Sequence, residues 1–252
     1  ENVVGQALKE SCTNNIKIIT KLPTFENKIY KDTDEVFWKN VVRNSILKSC
    51  ANLQCSKIDT LMLHRANHLD NSQIIDELLS IRKDGIINKI GVSIQNTSEL
   101  KAALNKDFIS IIQMPFNILD YRWDNFVDLI KDIKKKRKLT IHARSVLLQG
   151  LLCSNEKDKW NSVGINNTDE IFEFLAKKFR EYNKISISDL CIGYVNSQDW
   201  IDSVVVGVES KQNLLSNLQS VSKPFLLEKT LKEICDSRPI VEDTALDPST
   251  WN

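Results

Sequence analysis

The chain has 252 residues, enough for one large domain with a full core. Its formal net charge of +1, with 42% hydrophobic and 27% charged residues, is ordinary for a globular protein and sets up no field that would draw it onto nucleic acid or a membrane surface. No apolar run approaches the roughly 18 residues that span a bilayer, no secretory leader is expected, and six scattered cysteines with three unclustered histidines suggest reduced thiols in a cytoplasmic protein rather than a zinc site or a disulfide framework.

Short β-branched runs alternate with longer amphipathic stretches along the chain. Residues 17–21 read as a strand that closes on Lys21. Residues 34–53 follow as a helix with Val36, Phe37, Val41, Ile46 and Leu47 on its apolar side. A second strand, 58–64, closes on His64. The helix over 71–84 stops at Gly85, a good terminator. Then come a strand over 89–93, a helix over 97–104 opened by Thr97-Ser98-Glu99, and a strand over 110–115. The helix over 123–138 ends in Lys134-Lys135-Lys136-Arg137-Lys138, a run that suits a C-terminus, where the helix dipole favours cations. A nucleic-acid patch is the alternative, and the near-neutral chain argues against it. The strand over 139–145 is followed by the longest polar connection, 155–167, a candidate mobile loop. Helices over 168–182 and 186–197, a strand over 203–208, and helices over 210–221 and 224–235 complete the chain.

Strand–helix alternation implies parallel βαβ units, and runs such as Ile58–Leu63 are apolar enough to be buried on both faces. An open dinucleotide-binding sheet would carry G-x-G-x-x-G after its first strand, and none of the seven glycines is so arranged. Polar residues instead close strand after strand: Lys21, His64, Ser93, Gln113, Ser145 and Glu209. In an α/β barrel those strand ends share the face where chemistry sits. The expectation is therefore a single α/β barrel domain over 1–252. Lys21 and His64, on neighbouring strands, are the candidates for tuning a proton transfer.

Six segments, each at a strand end and in the right order, resemble the aldo-keto reductases. They are Ile18-Ile19-Thr20-Lys21, the run from Ile58-Asp59 to His64, the run from Gly85 to Gly91-Val92-Ser93, Gln113-Met114-Pro115-Phe116-Asn117, Ala143-Arg144-Ser145 through Gln149-Gly150-Leu151, and Val206-Gly207-Val208-Glu209-Ser210 followed by Asn217-Leu218. Their form is most similar to bacterial members related to aryl-alcohol dehydrogenases. The resemblance implies an (β/α)8 TIM barrel that binds NADP(H) or NAD(H) without a Rossmann domain and reduces an aldehyde or ketone, a keto-sugar among the candidates, by hydride transfer. Of the family's four catalytic residues, Lys21 matches the lysine and His64 the histidine. The ammonium lowers the pKa of a tyrosine that delivers the proton, and the imidazole orients the carbonyl.

The resemblance also implies that Ser93 and Gln113 hold the nicotinamide carboxamide. Ser145 and the Gln149-Gly150-Leu151 turn would lie along the pyrophosphate. Gly207, Glu209, Ser210, Asn213 and Asn217 would take the adenosine end. Many members that use NADP carry an arginine at the position of Asn213, so the guanidinium fork for a 2′-phosphate is replaced here, with Lys211 or Ser210 as substitutes. The choice between NADP and NAD stays open, with the family favouring NADP.

One departure is large. Residues 1–8 match the helix that follows the family's catalytic tyrosine, so its aspartate and tyrosine fall before Glu1. Six strands of eight are expected here, with a strand–helix–strand of roughly fifty residues missing. Tyr30, Tyr121, Tyr182 and Tyr194 match no family tyrosine. The second reading is a catalytically inactive, reductase-like barrel acting as a cofactor-binding or scaffold subunit. Oligomeric state is not legible.

Among the remaining residues, His68 reads as a solvent-facing or substrate-rim side chain and His142 as a barrel-interior one. Asp59 reads as a backbone anchor. Trp123 reads either as a wall of the substrate mouth or as the apolar start of a helix.

Overall fold

The alternation of apolar runs and amphipathic stretches produces ten helices and six strands among the described residues of the computed structural model, which are 1–11, 16–25 and 35–251. Cys12, Tyr30 and Asp34 lie outside the described residues. The strands follow one another in the sheet in chain order, β1 to β6. Two compact units divide the chain: Glu1–Ile94 with Ser98–Ile112, and Gln95–Thr97 with Gln113–Asn252.

The first unit contains α1 (Asn2–Ser11), β1 (Ile19–Lys21), α2 (Glu35–Leu53), β2 (Ile58–Leu63), α3 (Ser72–Lys83), β3 (Ile87–Ser93), nearly all of α4 (Thr97–Leu104) and the start of β4 (Ile109–Pro115). β1 pairs with β2 in parallel, Lys21 opposite Met62, and β2 pairs with β3, Leu63 opposite Val92. Leu61, Met62, Leu63, Ile90 and Val92 are buried, as the continuous apolar runs require of a parallel strand. Gly91 is a packing necessity, since a Cβ there would stand 2.9 Å from the Ile111 carbonyl oxygen. The Ile18 amide, just ahead of β1, donates to Asp59 Oδ2 at 2.9 Å, so Asp59 is the backbone anchor the sequence suggests. Asn71 caps α3 by accepting from the Ile74 amide, and Gly85 follows the helix at φ 79°. Buried Glu77 on α3 accepts from Arg43 Nε of α2 at 2.6 Å. His68 is buried rather than solvent-facing, with its ring centroid 5.5 Å from that of Phe25.

The second unit holds the rest of β4, α5 (Val127–Lys136), β5 (Thr140–Arg144), α6 (Lys157–Ser162), α7 (Thr168–Glu181), α8 (Ile187–Asn196), β6 (Ser203–Val204), α9 (Lys211–Val221) and α10 (Glu228–Ser237). β5 and β6 are parallel, His142 opposite Ser203, and His142 is half-buried. The basic run is absorbed locally: Lys134 donates to Asp202 at 2.7 Å, and Lys135 to Asp132 at 2.9 Å. Asp202 Oδ2 also accepts the Ile141 amide at 2.7 Å, the same device that Asp59 supplies to Ile18.

Three elements differ from the sequence reading. The polar stretch 155–167 contains α6, whose Trp160 is fully buried and donates from Nε1 to the Ser154 carbonyl at 2.9 Å. One large indole anchors a segment that its polar neighbours disguise. The last strand is short: it lies at the edge of the sheet, and residues past Val205 leave the ladder. Trp123 is a core residue, fully buried, with Nε1 donating to Asp120 Oδ2 at 3.0 Å.

Candidate functional site

In the first unit three predicted residues gather at the carboxyl ends of adjacent strands. Lys21 ends β1, His64 stands one residue past β2, and Ser93 ends β3. The parallel register brings these ends level, and Lys21 Nζ donates to Ser93 Oγ at 3.3 Å. Lys21 and His64 are half-buried, and Ser93 is buried. The cluster can hold a positive charge and hydrogen-bond donors against a group whose oxygen becomes negative.

In the second unit a cavity of about 640 Å³ opens beside the ends of β5 and β6. Ser145, Gln149 and Gly150 form part of its wall after β5. Gly207, Glu209, Asn213 and Asn217 form part of its wall after β6. The turn after β5 is strained. Ser145, Leu148 and Gln149 have φ of 56°, 47° and 55°, and Gly150 has 85°. Left-handed backbone is costly for residues with a Cβ, at about 1–3 kcal/mol each, and it persists where a turn is held for function. Hydrogen bonds hold it here: the Leu148 amide donates to the Ser145 carbonyl at 2.8 Å, and the Gly150 amide to the Leu147 carbonyl at 2.9 Å. Asn217 Nδ2 donates to the Gly207 carbonyl at 3.5 Å and ties α9 to the loop that follows β6.

Three predicted cofactor residues lie elsewhere. Leu151 is buried in the core and does not line the cavity. Gln113 is buried on β4. Ser210 caps α9: its Oγ accepts the Asn213 amide at 3.1 Å and donates its proton to Asn213 Oδ1 at 2.8 Å. The N-cap rule explains this, since a serine before a helix serves the orphan amides first.

The sequence reading missed Arg144. It lines the cavity, donates from Nη1 to Ser145 Oγ at 3.2 Å, and is braced by Gln95 Oε1. Its signal was available, as an arginine at a strand end next to an assigned serine. Val205 and Val206 supply apolar wall. The residues fit a dinucleotide: a guanidinium for a pyrophosphate, polar groups for ribose hydroxyls, and valines against a flat ring.

The described tyrosines are committed to other partners. The Tyr121 hydroxyl donates to Asp243 at 2.7 Å, and that bond, with burial, pushes its phenol up to about 12. Burial raises the Tyr182 phenol, and its hydroxyl donates to Glu233 at 3.3 Å. Burial raises Tyr194 further, beside the Cys235 sulfur at 3.2 Å. Among the described residues no group of three His, Cys, Asp or Glu side chains is placed to hold a metal ion, and no helix is long and apolar enough to cross a membrane.

The sequence pattern of the Aldo/keto reductase family matches residues 1–236. The chain belongs to the aldo/keto reductase family. It is 22% identical over 244 residues to the "uncharacterized oxidoreductase YqkF" of Bacillus subtilis, covering 93% of this chain and 77% of that protein. The solved aldo-keto reductase AKR11C1 from Bacillus halodurans, in its holo form, superposes with a TM-score of 0.75 at 22% identity, over 97% of this chain and 80% of that one. An aldo/keto reductase from Klebsiella pneumoniae, solved in complex with NADP and acetate, gives 0.69 at 13% identity, over 96% of this chain and 76% of that one. These likenesses show the fold. The chain has the parallel α/β fold of these barrel reductases, a family that reduces carbonyl groups with NAD(P)H.

Proposed function

We propose that residues 1–252 form one reductase domain, and that a polypeptide carrying it together with the family's aspartate and tyrosine reduces an aldehyde or ketone with NAD(P)H, with keto-sugars and aromatic aldehydes as the leading substrate classes. The observation that carries the reading is the cavity beside β5 and β6, where seven residues expected to touch the cofactor meet an arginine. Ser145, Gln149, Gly150 and Arg144 take the pyrophosphate, through the guanidinium and the exposed turn. Glu209, Asn213 and Asn217 face the adenosine end. Ser93 and Gln113 are the proposed carboxamide contacts. Ser93 accepts from Lys21 through an oxygen lone pair and so keeps its own proton to donate.

The nicotinamide supplies the hydride. The residues of the first unit manage charge and proton. As the carbonyl carbon gains hydride, its oxygen becomes an alkoxide and needs a proton. His64 donates a hydrogen bond that orients that oxygen and steadies its charge. Lys21 lowers the pKa of a neighbouring phenol, so that the phenol can surrender its proton near neutral pH. That phenol is the family's tyrosine, and activity is proposed for a polypeptide that carries it together with its aspartate.

The state of the described tyrosines favours a second reading, in which the chain binds dinucleotide as a scaffold subunit without turnover. All three hydroxyls are engaged elsewhere, with Asp243, Glu233 and the Cys235 sulfur, and none matches the family's proton donor. Oxidation of NADH or NADPH in the presence of 4-nitrobenzaldehyde separates the two. Turnover abolished by His64→Ala supports the reductase. Dinucleotide binding without turnover, in a polypeptide that carries the tyrosine, supports the scaffold.

A further inference from the structure

We infer that Cys50 and Cys55, at the carboxyl end of α2, form a redox-modification site, in which glutathione disulfide converts the two thiols into an intramolecular disulfide. The inference concerns the first unit alone and stands apart from the dinucleotide reading.

The backbone puts the pair together. α2 ends at Leu53, and Gln54 follows it in the left-handed region at φ 53°. The Gln54 amide donates to the Ala51 carbonyl at 3.2 Å, and the Cys55 amide to the Cys50 carbonyl at 3.1 Å. These two bonds make the helix-ending motif in which the first and last residues of the turn meet side chain to side chain, a contact usually made by apolar residues. Here both are cysteines, and their thiols hydrogen-bond to each other. A disulfide asks for Cα atoms roughly 4.4–6.8 Å apart, a spacing that a turn closed in this way supplies.

Access sets the order of events. Cys55 is half-buried and Cys50 is buried. Burial pushes the Cys50 thiol up, and the adjacent Cys55 adds to the push. The Cys55 thiolate therefore attacks glutathione disulfide first, expelling one glutathione thiolate and forming a mixed disulfide. Cys50 then attacks the Cys55 sulfur, and its proton leaves with the second glutathione. The two protein thiols are oxidised to one disulfide, and one glutathione disulfide is reduced to two glutathiones. In a reducing compartment such a bond is transient and serves as a sensor.

The change is felt by α1. Gly5 lies against the residues between the two cysteines, where a Cβ would stand 2.4 Å from the Asn52 carbonyl oxygen and 2.7 Å from the Leu53 carbonyl carbon, so the contact has no slack. Asn52 Nδ2 donates to Glu1 Oε2 at 3.0 Å, and Glu1 Oε1 accepts from Thr20 Oγ1 at 2.7 Å, one residue before Lys21. Drawing the two sulfurs from contact into a covalent bond shifts the turn on which α1 is seated.

Equilibration of the chain in glutathione buffers, followed by acid quenching, alkylation and trypsin, reads both cysteines on one peptide, residues 49–57. Under excess glutathione disulfide the expected product is that peptide two hydrogens lighter, free of alkyl and glutathione labels, and dithiothreitol reverses it. Cys50→Ser is expected to stop at a glutathione adduct on Cys55, and Cys55→Ser to leave Cys50 a thiol. In the oxidised chain the α1 amides are expected to exchange hydrogen several-fold faster than in the reduced chain. Two unmodified thiols, or a glutathione adduct that persists on Cys55 in the unaltered chain, overturn the site. Unchanged α1 exchange in the oxidised chain overturns its link to α1.

Discussion

Lys21→Met lowers carbonyl reduction by roughly 10²–10⁴-fold, the range expected when a proton-transfer apparatus is lost, and changes dinucleotide affinity far less. Methionine keeps the length and the apolar stem of lysine and removes the ammonium. Lys21 closes β1 and donates to Ser93 at the end of β3, so the charge is held at a fixed place rather than on a wandering rim side chain. The neighbouring phenol returns to its ordinary pKa when the charge goes, and the pH optimum of the residual activity moves up with it. Binding of the pyrophosphate and adenosine ends is insulated because the cavity wall is built from the second unit, and only the proposed carboxamide contact at Ser93 loses a partner. The assay is single-turnover reduction in the polypeptide that carries the family's tyrosine, with calorimetry beside it. Full activity in Lys21→Met removes Lys21 from the mechanism.

Asp120→Ala destabilises the second unit by about 3–5 kcal/mol, the cost of breaking a buried ion pair from one side. Asp120 is fully buried. Its Oδ2 receives Arg122 Nη2 at 2.7 Å and Trp123 Nε1 at 3.0 Å, and Oδ1 receives Arg122 Nε at 2.9 Å. Burial pushes the carboxyl up, and the bonds from Arg122 and Trp123 act against that push. Alanine strands a largely buried guanidinium and an indole N–H together. Arg122 also donates to the Leu246 carbonyl at 3.0 Å, so the carboxy-terminal segment loosens with it. Asp120→Asn keeps the shape and an acceptor for Trp123 and falls between the two. Urea unfolding followed by tryptophan fluorescence measures the effect, and an unchanged midpoint for Asp120→Ala removes the triad from the stability of this unit.

Legibility in the sequence followed burial symmetry. β2 and β3 could be read because both their faces are covered, which writes a continuous apolar run into the chain. The polar residues that close such runs were readable for the same reason, and Lys21, His64 and Ser93 do stand together at adjacent strand ends. The failures have separate physical sources. α6 is held by one buried indole inside a polar segment, too short a signal for periodicity. β6 is short because its pairing with β5 ends at Val205, which local sequence does not encode. His68 is buried against Phe25, a long-range packing contact. Ser210 looked like a ligand contact and serves a helix cap, because the two uses demand the same residue type. Leu151 belongs to a turn that touches the cavity, but its own side chain turns to the core. Arg144 is hidden in the sequence because an arginine closing a strand reads equally as a solvated rim charge, and only the fold turns it to the cavity wall beside Ser145.

If the cavity beside β5 and β6 is the dinucleotide site, Cys153 reports on its occupancy directly. Cys153 is exposed and lines the cavity, and burial of the thiol pushes its pKa up, so labelling is run at mildly alkaline pH. The measurement is the rate of Cys153 alkylation by iodoacetamide, read peptide by peptide by mass spectrometry, with and without NADH. Cys55 in the first unit is the internal control. Saturating NADH is expected to slow labelling of Cys153 and to leave Cys55 unchanged. An unchanged Cys153 rate at a concentration where calorimetry shows NADH bound would place the dinucleotide elsewhere.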